Sequence, residues 1–226
     1  MQTKTVSCVN WRFIMLKKIV NAFSVPILET QFDRIDALNV SLYESITSMF
    51  SNMDDKRLLS YEWNNFVLTD NPKPTTGYSS FNHASLVDNP NFKEFFDLIT
   101  PLITDFFKQL NFPEASPFVN KWSFENSWAS VYPQGAWVPS HNHGSSHWSG
   151  VYYVKADPAC GDLIFSDPKE YSLSNEPANT KWRGNNRHIM EAIPGKMYVF
   201  PGYVKHESHP NMSGEDRVII SFNIKA

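Results

Sequence analysis

Residues 122–132 read Trp-Ser-Phe-Glu-Asn-Ser-Trp-Ala-Ser-Val-Tyr, and large residues alternate there with small or polar ones. Such alternation predicts a β-strand with one buried face, because successive side chains of a strand point to opposite sides. The pattern returns in later segments, which are residues 148–154, 162–166, 196–200 and 217–224. Gly and Pro separate these segments, as turns between strands require. From about residue 118 onward the sequence therefore predicts an antiparallel sandwich or barrel.

The preceding part of the chain has helical spacing instead. Residues 31–53 carry apolar residues near one helical face, and residues 92–110 repeat them at i, i+3, i+4 and i+7. Asn89 is a predicted cap of the second helix. Residues 16–30 read as extended, and Pro26 favours an edge strand there.

These patterns divide the chain into three regions of one domain. Residues 1–14 are predicted to be a disordered extension, so that Met15 begins the functional chain. Residues 15–117 are predicted to form a support region of helices and a strand, and residues 118–226 are predicted to form the β core. A chain of 226 residues is long enough for one well-formed hydrophobic core.

Composition excludes several classes of protein. A formal net charge of −3 gives no basic excess for nucleic acid or anionic lipid, and no apolar run reaches the length of a membrane span. Cys8 and Cys160 are far apart and in no CxxC spacing, so neither a zinc-thiolate site nor a disulfide framework is expected. Reduced cysteines favour a cytoplasmic location.

Histidines provide the candidate metal ligands. His141 and His143 lie at i and i+2 of an extended segment, which puts both imidazoles on one side. His206 follows a predicted strand and turn that can lie beside this pair. Neutral imidazole is a good ligand for first-row metals. His188, in a polar loop, and His209, expected to point elsewhere, are the competing candidates.

Arg217 distinguishes a plain metal site from a site that also binds an organic acid. It opens the apolar strand 217–224, where it either faces water or turns inward. An inward guanidinium offers a planar fork that matches a carboxylate. Three imidazoles with such a fork are what a mononuclear iron site needs if it is also to hold a dicarboxylate. We therefore predict a non-haem Fe(II) oxygenase.

In the order and spacing of its motifs, the β region resembles the 2-oxoglutarate/Fe(II)-dependent dioxygenases. It is most similar to the prolyl-hydroxylase-like group and its phage and marine-bacterial relatives. The Tyr-x-x-Gly…His-x-Asp pattern of that group matches Tyr132, Gly135, His141 and position 143. The other matches are Val151-Tyr-Tyr-Val154, Gly161-Asp-Leu-Ile-Phe165, His206-Glu-Ser-His-Pro210, and Arg217 with Ser221. Residues 1–117 carry none of these motifs.

The resemblance implies a mainly β protein with N-terminal helices, built on a double-stranded β-helix of the jelly-roll or cupin-like type. It implies Fe(II) and 2-oxoglutarate as cofactor and cosubstrate. The implied catalytic residues are the iron ligands His141, His143 and His206, together with Arg217, which would bind the distal carboxylate. The implied cosubstrate pocket adds Tyr153, Tyr132 and Ser221. Asn223 shares a strand face with Ser221 and Arg217, and is expected to join them.

Position 143 departs from the pattern of the family. The common triad is two histidines and one carboxylate, whereas His143 stands in the place of the carboxylate. Three-histidine iron sites support oxygen chemistry in other barrel enzymes, so activity is compatible with this change. Glu207 or Asp162 is the alternative source of a carboxylate ligand.

The resemblance also implies the reaction, which is hydroxylation of a C–H bond with O2 while 2-oxoglutarate becomes succinate and CO2. It suggests a protein or peptide substrate. Trp137, Trp148 and Trp182 are candidates for the substrate entrance, and Arg187 lies in a long loop, residues 167–193, of the kind that serves as a lid.

Two other functions remain open at this point. One is a cupin-type three-histidine dioxygenase that does not use 2-oxoglutarate, and the other is a non-catalytic metal-binding barrel. A homodimer through the N-terminal helices is a further hypothesis. If a phage encodes the chain, the expected location is the host cytoplasm.

Overall fold

A computed structural model describes residues 24–52, 77–81, 83–110, 112, 116–168 and 187–226. The strands are β1 (Leu28–Gln31), β2 (Tyr78–Ser79), β3 (Ser123–Tyr132), β4 (Trp148–Lys155), β5 (Leu163–Ser166), β6 (Arg187–Met190), β7 (Lys196–Pro201), β8 (His206–Ser208) and β9 (Arg217–Lys225). The helices are α1 (Asp36–Ser51), α2 (Lys93–Gln109) and the short α3 (Pro117–Asn120). Two 3-10 turns, Leu86–Asp88 and Pro90–Phe92, precede α2.

The strands form two antiparallel sheets. The large sheet has the order β1-β7-β4-β9-β3-β2, and the small sheet has the order β6-β5-β8. One cluster of buried residues joins them: Val151, Tyr153, Tyr198, Phe200 and Ile219 come from the large sheet, and Leu163, Phe165 and Met190 come from the small one. The predicted mainly β architecture with helices before it is confirmed.

Alternation along β9 gives the large sheet two different faces. Val218, Ile220, Phe222 and Ile224 are fully buried on the side that carries the helices. Arg217, Ile219 and Ser221 project to the opposite side, where they line a cavity between the sheets. Because successive side chains of a strand point to opposite sides, one strand supplies both the helix-covered core and the polar interior of the barrel.

Helices α1 and α2 cover the outer side of the large sheet. Helix α1 buries Leu42, Ile46 and Phe50, as the spacing predicts, although it begins at Asp36 instead of residue 31. Helix α2 buries its aromatic face against the sheet, with Phe95 packed on Tyr152. The predicted cap is displaced by one short turn: the Asn89 side chain accepts a hydrogen bond from the Asn91 N–H and so caps the 3-10 turn that leads into α2.

Two predictions from the sequence are wrong: part of the predicted loop 167–193 is a strand, and Trp148 is a core residue. Strand β6 lies inside the segment expected to be a loop, and it places His188 on a strand. Three of its four residues are exposed, so it has no apolar alternation to reveal it. Trp148 is 5% exposed and packs against Phe106 and Phe107 on the helix side, so it does not line an entrance.

Several predictions concern residues outside the described part of the chain. These are the extension 1–14, the start of the extended segment 16–30, Trp182 and most of the loop 167–193. Strand β1 follows Pro26 and is an edge strand, as predicted. In the described part of the chain, no helix has the length and apolar character that crossing a bilayer requires.

Candidate metal and cosubstrate site

Backbone pairing brings the three predicted histidines together. The N–H of His141 donates to the carbonyl of His206 at 2.9 Å, and the N–H of His206 donates back at 2.8 Å. The N–H of His143 donates to the carbonyl of Gly202 at 2.8 Å. A Cβ at Gly202 would lie 2.1 Å from the carbonyl oxygen of Ser146, so only glycine permits this close approach of the two segments.

The imidazole rings converge on one point. Nε2 of His143 lies 3.4 Å from Nε2 of His206, and one ring nitrogen from each of His141, His143 and His206 lies within 4.8 Å of the others. Two nitrogens that are each about 2.1 Å from one ion lie about 3.0 to 3.4 Å apart when the angle between them is roughly 90° to 110°. The His143–His206 distance therefore fits a shared metal ion, and a ring nitrogen of His141 lies within 4.8 Å of both.

Hydrogen bonds at the back of the rings set the tautomer. Nδ1 of His141 donates to the carbonyl of Pro139 at 2.8 Å, and Nδ1 of His206 donates to the carbonyl of Val204 at 3.0 Å. A carbonyl can only accept, so the proton sits on Nδ1 and the lone pair on Nε2. This is the orientation that a metal-binding histidine requires.

The three rings are also held in the neutral form. Burial lowers the pKa of His141, and burial with the neighbouring His141 lowers the pKa of His143 to about 4. Burial, and then the charges of His141 and His143, bring the pKa of His206 well below its ordinary value. At neutral pH all three nitrogens therefore offer lone pairs without a proton to displace.

These pKa shifts predict that the metal-free protein loses stability in mild acid. Unfolded histidines take up protons near the ordinary pKa of 6.5, whereas folded His143 stays neutral down to about pH 4. Because the unfolded state binds more protons in this window, the free energy of unfolding should fall as the pH falls and level off below it. Urea denaturation at a series of pH values measures how steeply the free energy of unfolding changes with pH. His143→Gln should make this dependence shallower, and an equal dependence in the variant would contradict the prediction.

Arg217 lies inside the barrel and is 1% exposed. Its Nη1 donates to the carbonyls of Cys160 and Gly161 at 2.7 Å each, and to that of His209 at 3.2 Å. Its Nη2 donates to Ser208 Oγ at 2.8 Å. Gly161 has a φ of +89°, and a Cβ there would lie 2.3 Å from the His209 carbonyl, so the cradle around the guanidinium depends on this glycine.

The charge of Arg217 has no anionic partner among the residues that the structure describes. Carbonyls and a hydroxyl hold its guanidinium, the Tyr132 ring lies 4.8 Å from its central carbon, and no described carboxylate forms a salt bridge with it. Burying an unpaired cation is costly, and a bound carboxylate would offset that cost. The site therefore fits an organic acid as well as a metal.

One inner cavity of about 80 Å³ connects the histidines to Arg217. Its lining contains nearly all of the predicted site residues, namely His141, His143, His206, Arg217, Tyr132, Tyr153 and Ser221. Burial raises the pKa of Tyr153, so its phenol remains a neutral hydrogen-bond donor at physiological pH. Asn223 does not line this cavity and instead faces a second one beside His143.

That second cavity, the outer pocket, has a volume of about 300 Å³ and adjoins His141 and His143. Five aromatic side chains line it, and they are Tyr78, Phe81, Trp128, Tyr132 and Trp137. Small polar residues complete the lining, including Ser79, Ser130, Asn142 and Asn223. Trp137 thus lines this pocket, and its role at a substrate entrance stays a prediction.

The competing ligand candidates do not join the histidine cluster, although Glu207 lines the inner cavity. His188 and His209 are exposed. Glu207 pairs with Arg187 at 3.0 Å, and Asp162 Oδ1 accepts the N–H of Ala192 at 3.0 Å. Within the described residues, the three histidines alone form a cluster of three or more metal-ligand side chains.

Sequence reasoning missed Trp128 and Ser208. Trp128 lines both cavities, and its ring lies 6.0 Å from that of His143. A signal was present, because Trp128 is four residues before Tyr132 and so shares its strand face. The Ser208 hydroxyl accepts hydrogen bonds from Arg217 Nη2 and from the N–H of Val138. Nothing in the sequence indicates that Ser208 accepts a hydrogen bond from Arg217.

Comparison with known proteins agrees with this geometry. Residues 126–223 match the family described as "Putative 2OG-Fe(II) oxygenase". This segment spans β3 to β9 and contains both the histidine cluster and Arg217. Residues 126–223 thus resemble the 2-oxoglutarate/Fe(II)-dependent oxygenases, a family whose cofactor is Fe(II) and whose cosubstrate is 2-oxoglutarate. No curated protein matches the sequence significantly.

Solved structures share the fold at low sequence identity. A viral collagen prolyl hydroxylase from Paramecium bursaria Chlorella virus-1, in complex with 2-oxoglutarate, is 11% identical with a TM-score of 0.55, over 88% of this chain and 96% of that one. A prolyl-4-hydroxylase from Pseudomonas putida is 15% identical with a TM-score of 0.54, over 88% and 92%. An α-ketoglutarate-dependent epimerase of nogalamycin biosynthesis is 8% identical with a TM-score of 0.52, over 88% and 77%. The predicted double-stranded β-helix is thereby confirmed.

Proposed function

We propose that this oxygenase hydroxylates a C–H bond of an uncharged group, presented as a residue within a peptide, while 2-oxoglutarate is converted to succinate and CO2. In this proposal His141, His143 and His206 hold Fe(II), and Arg217 binds the distal carboxylate of 2-oxoglutarate. The observation that carries the proposal is the inner cavity, which joins the three imidazoles to a buried guanidinium that no described carboxylate pairs with.

Each part of the site would have a separate task. When bound, Fe(II) and 2-oxoglutarate supply the activation of O2 needed to oxidise an unactivated C–H bond. The three imidazoles orient the metal, and Arg217 with the neutral Tyr153 phenol orients the cosubstrate. The walls of the inner cavity, formed by Leu163, Phe200 and their apolar neighbours, keep water away from the reacting atoms.

The outer pocket supports an uncharged substrate group. Every described residue of its lining is uncharged when the histidines are neutral, and five aromatic side chains contribute to its walls. A free amino acid would bring an ammonium and a carboxylate, each of which requires a partner when it leaves water. An internal peptide residue brings neither. The similarity to the two prolyl hydroxylases points in the same direction, at the level of the fold.

A three-histidine dioxygenase that works without 2-oxoglutarate is the alternative mechanism. Such an enzyme has no use for a buried carboxylate fork beside the metal. The orientation of Arg217 into the inner cavity therefore favours the 2-oxoglutarate-dependent reaction.

Succinate formation in the presence of candidate substrates tests the proposal. Peptides with blocked termini should stimulate succinate formation above the substrate-free rate, and the corresponding free amino acids should not. Trp137→Ala should lower the stimulated rate at limiting peptide by about 10-fold or more, because a buried aromatic contact contributes roughly 1.5 to 3 kcal/mol. Binding of Fe(II) and 2-oxoglutarate should be unchanged.

Tyr43→Ala is the matched control for this experiment. Tyr43 is 37% exposed and Trp137 is 38% exposed, but Tyr43 lies on α1, away from both cavities. A rate that falls equally in both variants would mean that the outer pocket does not bind the substrate. Stimulation by free amino acids and not by blocked peptides would contradict the peptide proposal.

A further inference from the structure

Ser208 is a buried serine whose oxygen is fully used as a hydrogen-bond acceptor. It is 8% exposed, and its Oγ accepts from Arg217 Nη2 at 2.8 Å and from the N–H of Val138 at 3.0 Å. Both partners can only donate, and a serine oxygen has two lone pairs, so these two bonds use its whole capacity as an acceptor. Its own O–H is left over as a donor, and it forms no hydrogen bond with any residue that the structure describes.

Strand β8 places this hydroxyl beside the proposed metal site. His206 and Ser208 are two residues apart on β8, so their side chains lie on the same face of the strand. Both are buried and both line the inner cavity. Two residues of a strand span about 7 Å. An acid that reaches from the metal to Arg217 would therefore pass along this face of β8.

Arg217 has donors left over at the same place. The carbonyls of Cys160, Gly161 and His209 share the two protons of Nη1, and Ser208 takes one proton of Nη2. A guanidinium has five N–H donors. The Nε proton and the second Nη2 proton therefore form no hydrogen bond within the described residues. Buried donors without an acceptor are costly, so a ligand that accepts from them would be stabilised.

These three free donors, two on Arg217 and one on Ser208, fit a carboxylate. A carboxylate has two oxygens with about four lone-pair sites, so it can accept from a guanidinium and from a hydroxyl at once. A water molecule could accept one of these bonds, but it would leave the buried positive charge of Arg217 without an anion. The arrangement of donors therefore favours an anion in contact with both side chains.

We propose that the Ser208 hydroxyl donates a hydrogen bond to the carboxylate that Arg217 binds, so that Ser208 is a second binding residue for the organic acid. The inference rests on the proposed function in one respect, which is that Arg217 binds the distal carboxylate of 2-oxoglutarate. Ser208 then has two tasks: its oxygen holds Nη2 of Arg217, and its proton binds the ligand. Through its bond to Val138, which lines both cavities, it also connects the bound acid to the wall of the outer pocket.

Anaerobic calorimetric titration of the Fe(II)-loaded full chain with 2-oxoglutarate tests the inference. Ser208→Ala should weaken binding about 10-fold or more, because a hydrogen bond to a charged group is lost. Ser208→Thr keeps the hydroxyl and should retain most of the affinity. Fe(II) binding should be unchanged in both variants, because neither removes a ligand of the histidine cluster.

The matched control is Ser127→Ala. Ser127 is 3% exposed, and its Oγ accepts from the N–H of Val87 at 2.8 Å, much as Ser208 accepts from the N–H of Val138. It lines neither cavity, so this variant loses a comparable structural bond away from the site. It should bind 2-oxoglutarate as the wild type does.

A double variant separates direct binding from a role in orienting Arg217 alone. Arg217→Lys removes the guanidinium fork but keeps the positive charge. Adding Ser208→Ala to Arg217→Lys should weaken 2-oxoglutarate binding further, because the hydroxyl contacts the carboxylate itself. No further loss in the double variant, or equal affinity in the wild type and Ser208→Ala, would overturn the inference alone. Absence of 2-oxoglutarate binding in the wild type would overturn the proposed function together with it.

Discussion

Replacing His206 with alanine is expected to abolish Fe(II) binding and, with it, the formation of succinate. His206 is buried, and its Nε2 lies 3.4 Å from that of His143. Loss of an outer partner of a ligand already costs about 10- to 100-fold in metal affinity, so loss of a ligand from a set of three should cost more than about 100-fold. Anaerobic titration with Fe(II) measures the change.

The control for this variant is His209→Ala. His209 is exposed and lies three residues from His206, and its contact with Arg217 is through its backbone carbonyl, which alanine retains. This variant should bind Fe(II) as the wild type does. Circular dichroism should show that both variants remain folded. Wild-type affinity for Fe(II) in folded His206→Ala would mean that the three rings are not the metal site.

Arg217→Ala is expected to remove 2-oxoglutarate binding while leaving Fe(II) binding intact. Truncating one partner of a buried, hydrogen-bonded charge pair costs about 2 to 5 kcal/mol, which corresponds to roughly 30- to several thousand-fold in affinity. The guanidinium lies in the inner cavity but does not belong to the histidine cluster, so its removal should leave the affinity for Fe(II) unchanged. Calorimetric titration of each ligand separates the two effects.

Folding is the concern for this variant, because Arg217 also holds three backbone carbonyls. Arg217→Lys preserves the positive charge but loses the fork, so it should fold more stably and still bind 2-oxoglutarate less tightly than the wild type. Arg187→Ala removes another arginine, one that is half exposed and paired with Glu207, and should change neither affinity. Equal loss of Fe(II) and 2-oxoglutarate binding in folded Arg217→Lys would contradict separate subsites.

Three neutral ligands also affect how strongly the binding of Fe(II) and the binding of 2-oxoglutarate depend on each other. No ligand of the proposed set carries a negative charge, and the buried Arg217 adds a positive one. The two carboxylates of 2-oxoglutarate would therefore offset most of the combined positive charge of the metal and the guanidinium. We expect the binding of Fe(II) and that of 2-oxoglutarate to favour each other, and by linkage the effect must be the same in both directions.

Much of the fold follows from residue periodicity. The alternation in β3 and β9 predicts the two faces of the large sheet, and the helical spacing predicts the residues that α1 buries. Strand β6 could not be predicted in this way, because it is held by backbone pairing with β5 and not by an apolar face. The burial of Trp148 could not be predicted either. Its place beside the histidine motif suggested a residue of the substrate entrance, and only the packing of α2 against it shows that it belongs to the core.

The site was predictable where its chemistry is carried by residue types and spacing. The residues His141, His143, His206 and Arg217 stand out in the sequence because imidazoles and a strand-end guanidinium have few other reasons to occur in that order. The position of Asn223 was not predictable, since strand alternation places it on the same side as Ser221 but does not say which of two cavities it reaches. That distinction depends on where the loop carrying His143 crosses the barrel.

Anaerobic calorimetric titration of 2-oxoglutarate into the wild-type protein, with and without Fe(II), tests whether the inner cavity is a combined site for metal and cosubstrate. We expect one binding site per chain, tighter binding when Fe(II) is present, and loss of that binding in Arg217→Ala. This expectation would be contradicted by 2-oxoglutarate binding that is indifferent to both Fe(II) and Arg217, because the inner cavity would then not be a combined site for metal and cosubstrate.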